Sequence, residues 1–183
     1  MIEKYELPKF LDYVTRTKFT DYRIKHTSEI VKQYYDLAYY QMLDLSETTN
    51  EFFNIENPTH DVVNEYLNKS WSYAYAMYAL IRTCTEAISI FRQMIGDVRQ
   101  IDSVYRDDLI RIIDIANNIV KHPMYKHNQL SEGAQPVALD ISGGIDVAIQ
   151  SDITGQINKK ELNPMKDFYA VRNYIEHIFD NLP

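Results

Sequence analysis

Residues 105–123, YRDDLIRIIDIANNIVKHP, carry the densest set of groups able to do chemistry. At 100° per residue, Leu109, Ile112, Ile113, Ala116, Ile119 and Val120 gather on one side of a helix. Arg111, Asp114, Asn118 and His122 fall on the other. Asn118 follows Arg111 by seven residues and His122 follows it by eleven, offsets that bring the three within about 20° of one line. A guanidinium, an amide and an imidazole on one stripe suit a phosphate-containing ligand: the cation meets its charge and the imidazole can move a proton. A protonated histidine is also favoured at a helix C-terminus. The same pattern fits the solvated face of an ordinary amphipathic helix, and both readings stay open.

The end of this helix, Asn117-Asn118-Ile119-Val120-Lys121-His122-Pro123, resembles the signature of HEPN domains. These are helical bundles of bacterial toxin, defence and nucleotide-related systems. The signature is an arginine, a polar residue that is often asparagine, three further residues and a histidine, near the end of a late helix. In active members, the arginine and histidine of two protomers meet at a dimer interface and cleave RNA without a metal. Asn118 matches the polar position and His122 the histidine, whereas Asn117 stands where the signature has arginine. Metal-free cleavage uses the 2′-hydroxyl as nucleophile. It needs a group that moves protons and a cation for the charge developing on phosphate. Asn117 cannot be that cation; Arg111, Lys121 and Arg82 are the basic residues that could stand in.

The resemblance therefore implies two functions. One is a HEPN-like protein of a bacterial or phage defence or toxin-type setting, acting as a non-catalytic binding or dimerisation module. Its partner would be a second copy, another protein or RNA. The alternative is a metal-independent ribonuclease with His122 as acid and base, Asn118 as its orienter or a phosphate contact, and Arg111 as the cation. No cofactor is expected.

Other constellations are weaker. His122 and His127 lack an acidic pair beside them, so no metal site is expected. His26, His60 and His177 are scattered and read as surface residues. Asp107 and Asp108 suit the positive end of their helix. Glu86 lies one turn beyond Arg82 and could pair with it. No phosphate-binding glycine loop is present. The single cysteine, Cys84, sits in an apolar helical run and reads as a buried, inert thiol.

Composition sets the frame. The 183 residues are 45% apolar and 25% charged, ordinary for one globular domain spanning 1–183. The net charge of −7 argues against a general nucleic-acid coat, though not against one local RNA contact. No long apolar run suggests a membrane span and the N-terminus lacks a signal core, so a cytoplasmic protein is expected. The 15 tyrosines need partners for their hydroxyls, which suggests a core with polar edges or a tyrosine-lined groove or interface.

The elements that must position these groups are helical. Pro8 suits the first turn of a segment in which Leu7, Phe10, Leu11 and Val14 keep helical spacing. A second helix is expected over about 21–46, followed by a polar connection at 47–57. A long helix should start after Asn57-Pro58-Thr59 and run, without internal glycine or proline, to Gly96. Asp102 or Ser103 should cap the next helix, which Pro123 ends. After a loop at 124–135, the apolar period shortens to two in PVALDISGGIDVAI, a β-hairpin signal. A three-residue loop, 142–144, would put its apolar residues on one face. Residues 153–157 could add a short strand. Asn163 and Pro164 start a final helix with Phe168, Val171, Ile175 and Ile178 as its stripe. The expected fold is mainly α: an up-and-down helix bundle of four to five helices, with a small β-hairpin insertion at about 136–157 before the C-terminal helix.

Overall fold

Two long stretches free of glycine and proline, joined by a short turn through Pro58, make the largest feature of the fold. The computed structural model describes residues 7–121, 155–157, 160–180 and 182. Five helices lie in these segments: α1 (Pro8–Thr17), α2 (Tyr22–Phe53), α3 (His60–Met94), α4 (Ser103–Lys121) and α5 (Pro164–Asp180). The fold is mainly helical and compatible with a helix bundle. None of the described helices is long and apolar enough to cross a membrane.

Local signals start and stop these helices as expected. Pro8 opens α1. The side chains of Asp21, Thr59, Asp102 and Asn163 accept hydrogen bonds from the backbone amides of Arg23, Val62, Val104 and Lys166. Each satisfies a donor that the first turn of a helix leaves unpaired. Gly96, at φ +72°, follows the end of α3 and takes the left-handed conformation that a side chain would strain. The 35 residues of α3 run unbroken, about 52 Å at the usual rise.

One boundary differs from expectation. α2 continues through residues 47–53, read above as a polar connection, and ends at Phe53. The reason is tertiary: Phe52 stacks on Tyr66 of α3 with ring centroids 4.0 Å apart, so the helix pair stays packed beyond the regular stripe.

α3 lies at the centre, against α2, α4 and α5. Ala74, Met77, Tyr78, Ile81, Cys84, Ile88 and Phe91 are all buried along it. The stripe of α5 packs as expected, with Phe168, Val171, Ile175 and Ile178 buried. α1 closes one end: the ring of Phe10 sits 4.8 Å from Phe179 and 5.8 Å from Phe91. The carboxylate of Glu176 on α5 accepts from the amides of Lys9 and Phe10 at 3.1 and 3.5 Å. A side chain of the last helix thus supplies the N-terminal acceptor that Leu7 cannot.

The hairpin expected at about 136–157, with Gly143-Gly144 at its tip, lies almost wholly outside the described residues. The antiparallel pair that is described is a different one, β1 (Gly155–Ile157) with β2 (Lys160–Leu162). Its register sets Gly155 opposite Leu162 and Ile157 opposite Lys160, immediately before α5.

Candidate functional site

α4 is packed from two directions, by α3 and by α5. Leu109, Ile112 and Ala116 are buried as the apolar side predicts, but Ile115 is fully buried as well. Ile115 belongs to the side that carries Arg111, Asp114 and Asn118. That side is therefore half-buried, not a freely solvated face.

Arg111 points into the junction with α5. Its guanidinium makes a two-point ion pair with Asp167, with Nη1 3.2 Å from Oδ2 and Nη2 closer still to Oδ1. Asp167 is 0% exposed, and the hydroxyl of Tyr78 on α3 donates to the same carboxylate. Burial pushes the Tyr78 hydroxyl far above its ordinary range, and the adjacent carboxylate pushes it further. Nη2 of Arg111 also lies 3.5 Å from Asp108. This arginine, expected as the cation of the site, thus holds α4 to α5 around a buried charge. Asn118 turns back along its own helix, donating to the carbonyl of Asp114 at 2.8 Å. His122 is the next residue after the end of α4 and lies outside the described residues.

A different cation reaches the signature. Arg82, on α3, donates through Nε to Oδ1 of Asn117 at 2.6 Å. Asn117 is the residue that stands in place of the signature arginine, so a guanidinium sits beside that position after all, carried by another helix. The Arg82 side chain is 37% exposed, and its Nη1 is 3.9 Å from Glu86, an ion-pair separation too long for a hydrogen bond. Arg82 was one of three basic residues the sequence left open. Nothing local signals its partner, which lies 35 positions away.

Other candidates have plain placements. His26 and His60 are exposed, whereas His177 is half-buried and stacks on Tyr105 at 4.7 Å, unlike the surface position expected for it. Cys84 is buried beside the carbonyl of Val31, and burial pushes its thiol up to about 12. Among the described residues, no group of three histidine, cysteine or acidic side chains is placed to hold a metal. A groove of about 570 Å³ runs between α4 and α5, with Tyr105, Tyr169 and Met165 on its walls and Asp108 and Lys166 as charged groups. It touches the site through Asp108, whereas Tyr13, Tyr35, Tyr39, Tyr66, Tyr78 and Tyr174 are buried in the core.

The chain matches no family profile, no curated protein and no solved structure.

Proposed function

We propose that this chain is a HEPN-like helical protein of a bacterial or phage defence or toxin-type setting, working in the cytoplasm as a binding or dimerisation module and not as a catalyst. The observation that carries this reading is the commitment of Arg111 to Asp167. The cation that shares a stripe with Asn118 and His122 is engaged at two points by a buried carboxylate. Moving it to a phosphate would leave that charge unpaired inside the bundle, at a cost of several kcal/mol. With asparagine at 117, the signature also lacks its own cation. The tyrosine-walled groove between α4 and α5, and the hairpin expected at about 136–157, are the surfaces for a second copy or another protein.

A second reading, metal-independent ribonuclease, is favoured by one observation: Arg82 stands against Asn117. His122 would be the acid and base, Asn118 its orienter, and Arg82 the cation in place of Arg111.

Incubating purified protein with mixed RNA and EDTA, beside a His122→Ala control, separates the two. The module reading expects no cleavage by either, together with self-association in sedimentation or capture of a defined partner. Cleavage by the parent but not by the variant would overturn it in favour of the ribonuclease.

A further inference from the structure

The α2–α3 pair carries its helical neighbours on one side. On α2, Tyr35 and Tyr39 meet Phe168 of α5, and Val31 meets α3 through Cys84. On α3, Tyr78 and Arg82 reach α5 and α4. At 100° per residue, the face turned away from these neighbours holds Ile30 and Leu37 on α2, with Ala76, Ala79, Ile90 and Met94 on α3. Leu37, Ile90 and Met94 are 41%, 42% and 40% exposed, and the other three are half-buried. Thr83, in the middle of the stripe, turns its hydroxyl to the carbonyl of Ala79 in its own helix. No charged residue lies on this stripe, and Glu86 stands on its rim.

The stripe is complementary to itself. On α3 the bulky residues, Ile90 and Met94, lie at one end and the small ones, Ala76 and Ala79, at the other. A two-fold rotation at the level of Thr85 sets Met94 on Ala76 and Ile90 on Ala79 of a second copy. The contacts of Val31 with Cys84 and of Thr27 with Met94 bring Thr85 to about the level of Gln33 on α2. The same rotation therefore sets Ile30 on Leu37 and Leu37 on Ile30. One axis matches both helices at once. The stripe is about 27 Å long and the helix pair about 20 Å across, so two copies would remove roughly 1,000 Å² from water. That area reaches the threshold of a specific interface and suits a reversible dimer, not an obligate one. An uncharged face also lets two chains of net charge −7 approach.

We infer that the outer face of the α2–α3 pair is a homodimer surface, on which a second copy packs antiparallel about a two-fold axis near Gln33 and Thr85. The inference rests on the reading of the chain as a dimerisation module and gives that module a surface beyond the groove between α4 and α5. α4 packs on a different side of α3. This dimer therefore holds the two copies of Asn117 and Asn118 apart.

The test is sedimentation of the full chain over a concentration series, in which the parent should pass from monomer to dimer. Ile90→Glu places a charge in the interface twice per dimer and should weaken association more than about tenfold. Ile90 is exposed in the single chain, so the variant should keep the parent's circular dichroism. Ile110→Glu puts the same charge on α4, where Ile110 is 52% exposed, and should change association less than about twofold. Cross-linking reads the register. When Met94→Cys and Ala76→Cys chains are mixed and treated with a short bismaleimide, the mixed pair should form faster than either chain with itself. The native Cys84 is buried and does not compete.

A parent that stays monomeric at about 100 µM would overturn the inference. Equal association by Ile90→Glu and Ile110→Glu would overturn it too, as would Met94→Cys chains cross-linking to themselves as fast as to Ala76→Cys chains. A dimer that ignores Ile90→Glu leaves the module reading standing with its surface elsewhere. A parent that stays monomeric and captures no partner takes the module reading down as well.

Discussion

Arg111 of α4 and Asp167 of α5 form a two-point ion pair whose carboxylate also accepts the hydroxyl of Tyr78, so one buried side chain ties three helices together. Removing a single member should be costly. Asp167→Ala leaves a guanidinium and a phenol without their acceptor, and a loss of about 3–5 kcal/mol is expected in urea unfolding. The triple change Tyr78→Phe, Arg111→Met and Asp167→Leu should recover most of it, because it removes the charges and the buried hydroxyl together. A loss below about 1 kcal/mol for Asp167→Ala would show that the pair does not hold the junction.

Acid should attack the turn between α3 and α4. Arg99 and Arg92 both bond the buried carboxylate of Asp97, and together they hold it well below the ordinary carboxylate range. The folded chain releases this proton more readily than the unfolded one. Its stabilising contribution is therefore complete above about pH 5 and fades as pH falls through the acid range. The stability gap between the parent and Asp97→Asn should shrink steadily from about pH 5 to about pH 2. A gap independent of pH would contradict this assignment.

Cys84 should be silent to thiol reagents in the native state. Its sulfur is buried, and its thiol is pushed up to about 12, so almost no thiolate exists near neutral pH. Ellman's reagent should label it only as fast as the chain unfolds, and fully in denaturant. Rapid native labelling would place Cys84 in a locally opening segment.

Glu176 should control the first turn of α1. Glu176→Ala removes the acceptor for the amides of Lys9 and Phe10 and should cost about 1 kcal/mol. The sharper readout is hydrogen exchange, which should accelerate at those two amides and hardly change in α3. Unaltered exchange at Lys9 and Phe10 would remove the capping role.

What the sequence disclosed was mostly what lies within one turn of a residue. Pro8, Thr59, Gly96 and Asn163 announce helix ends because capping is local chemistry, and the structure uses each as read. The end of α2 was misplaced because Phe52 finds its partner across the turn, on Tyr66. On α4 the helical wheel set Ile115 on the side of Arg111, Asp114 and Asn118, yet Ile115 is fully buried. A helix covered from two sides buries part of its polar face. The site is the least legible part. Arg111 meets Asp167 56 positions away and Arg82 meets Asn117 35 positions away, and no spacing rule for a single helix reaches either partner. Asn117 looked like a missing charge, although the structure sets one beside it.

The cap that α5 places on α1 also orders events in time. Lys9 and Phe10 find their acceptor 167 and 166 residues later in the chain. The ring of Phe10 likewise waits for Phe179. During synthesis, α1 cannot complete its docking until α5 has emerged. The α2–α3 pair, whose contacts lie close in sequence, can assemble well before then. α1 is therefore the latch of the fold, made before α5 and closed by it.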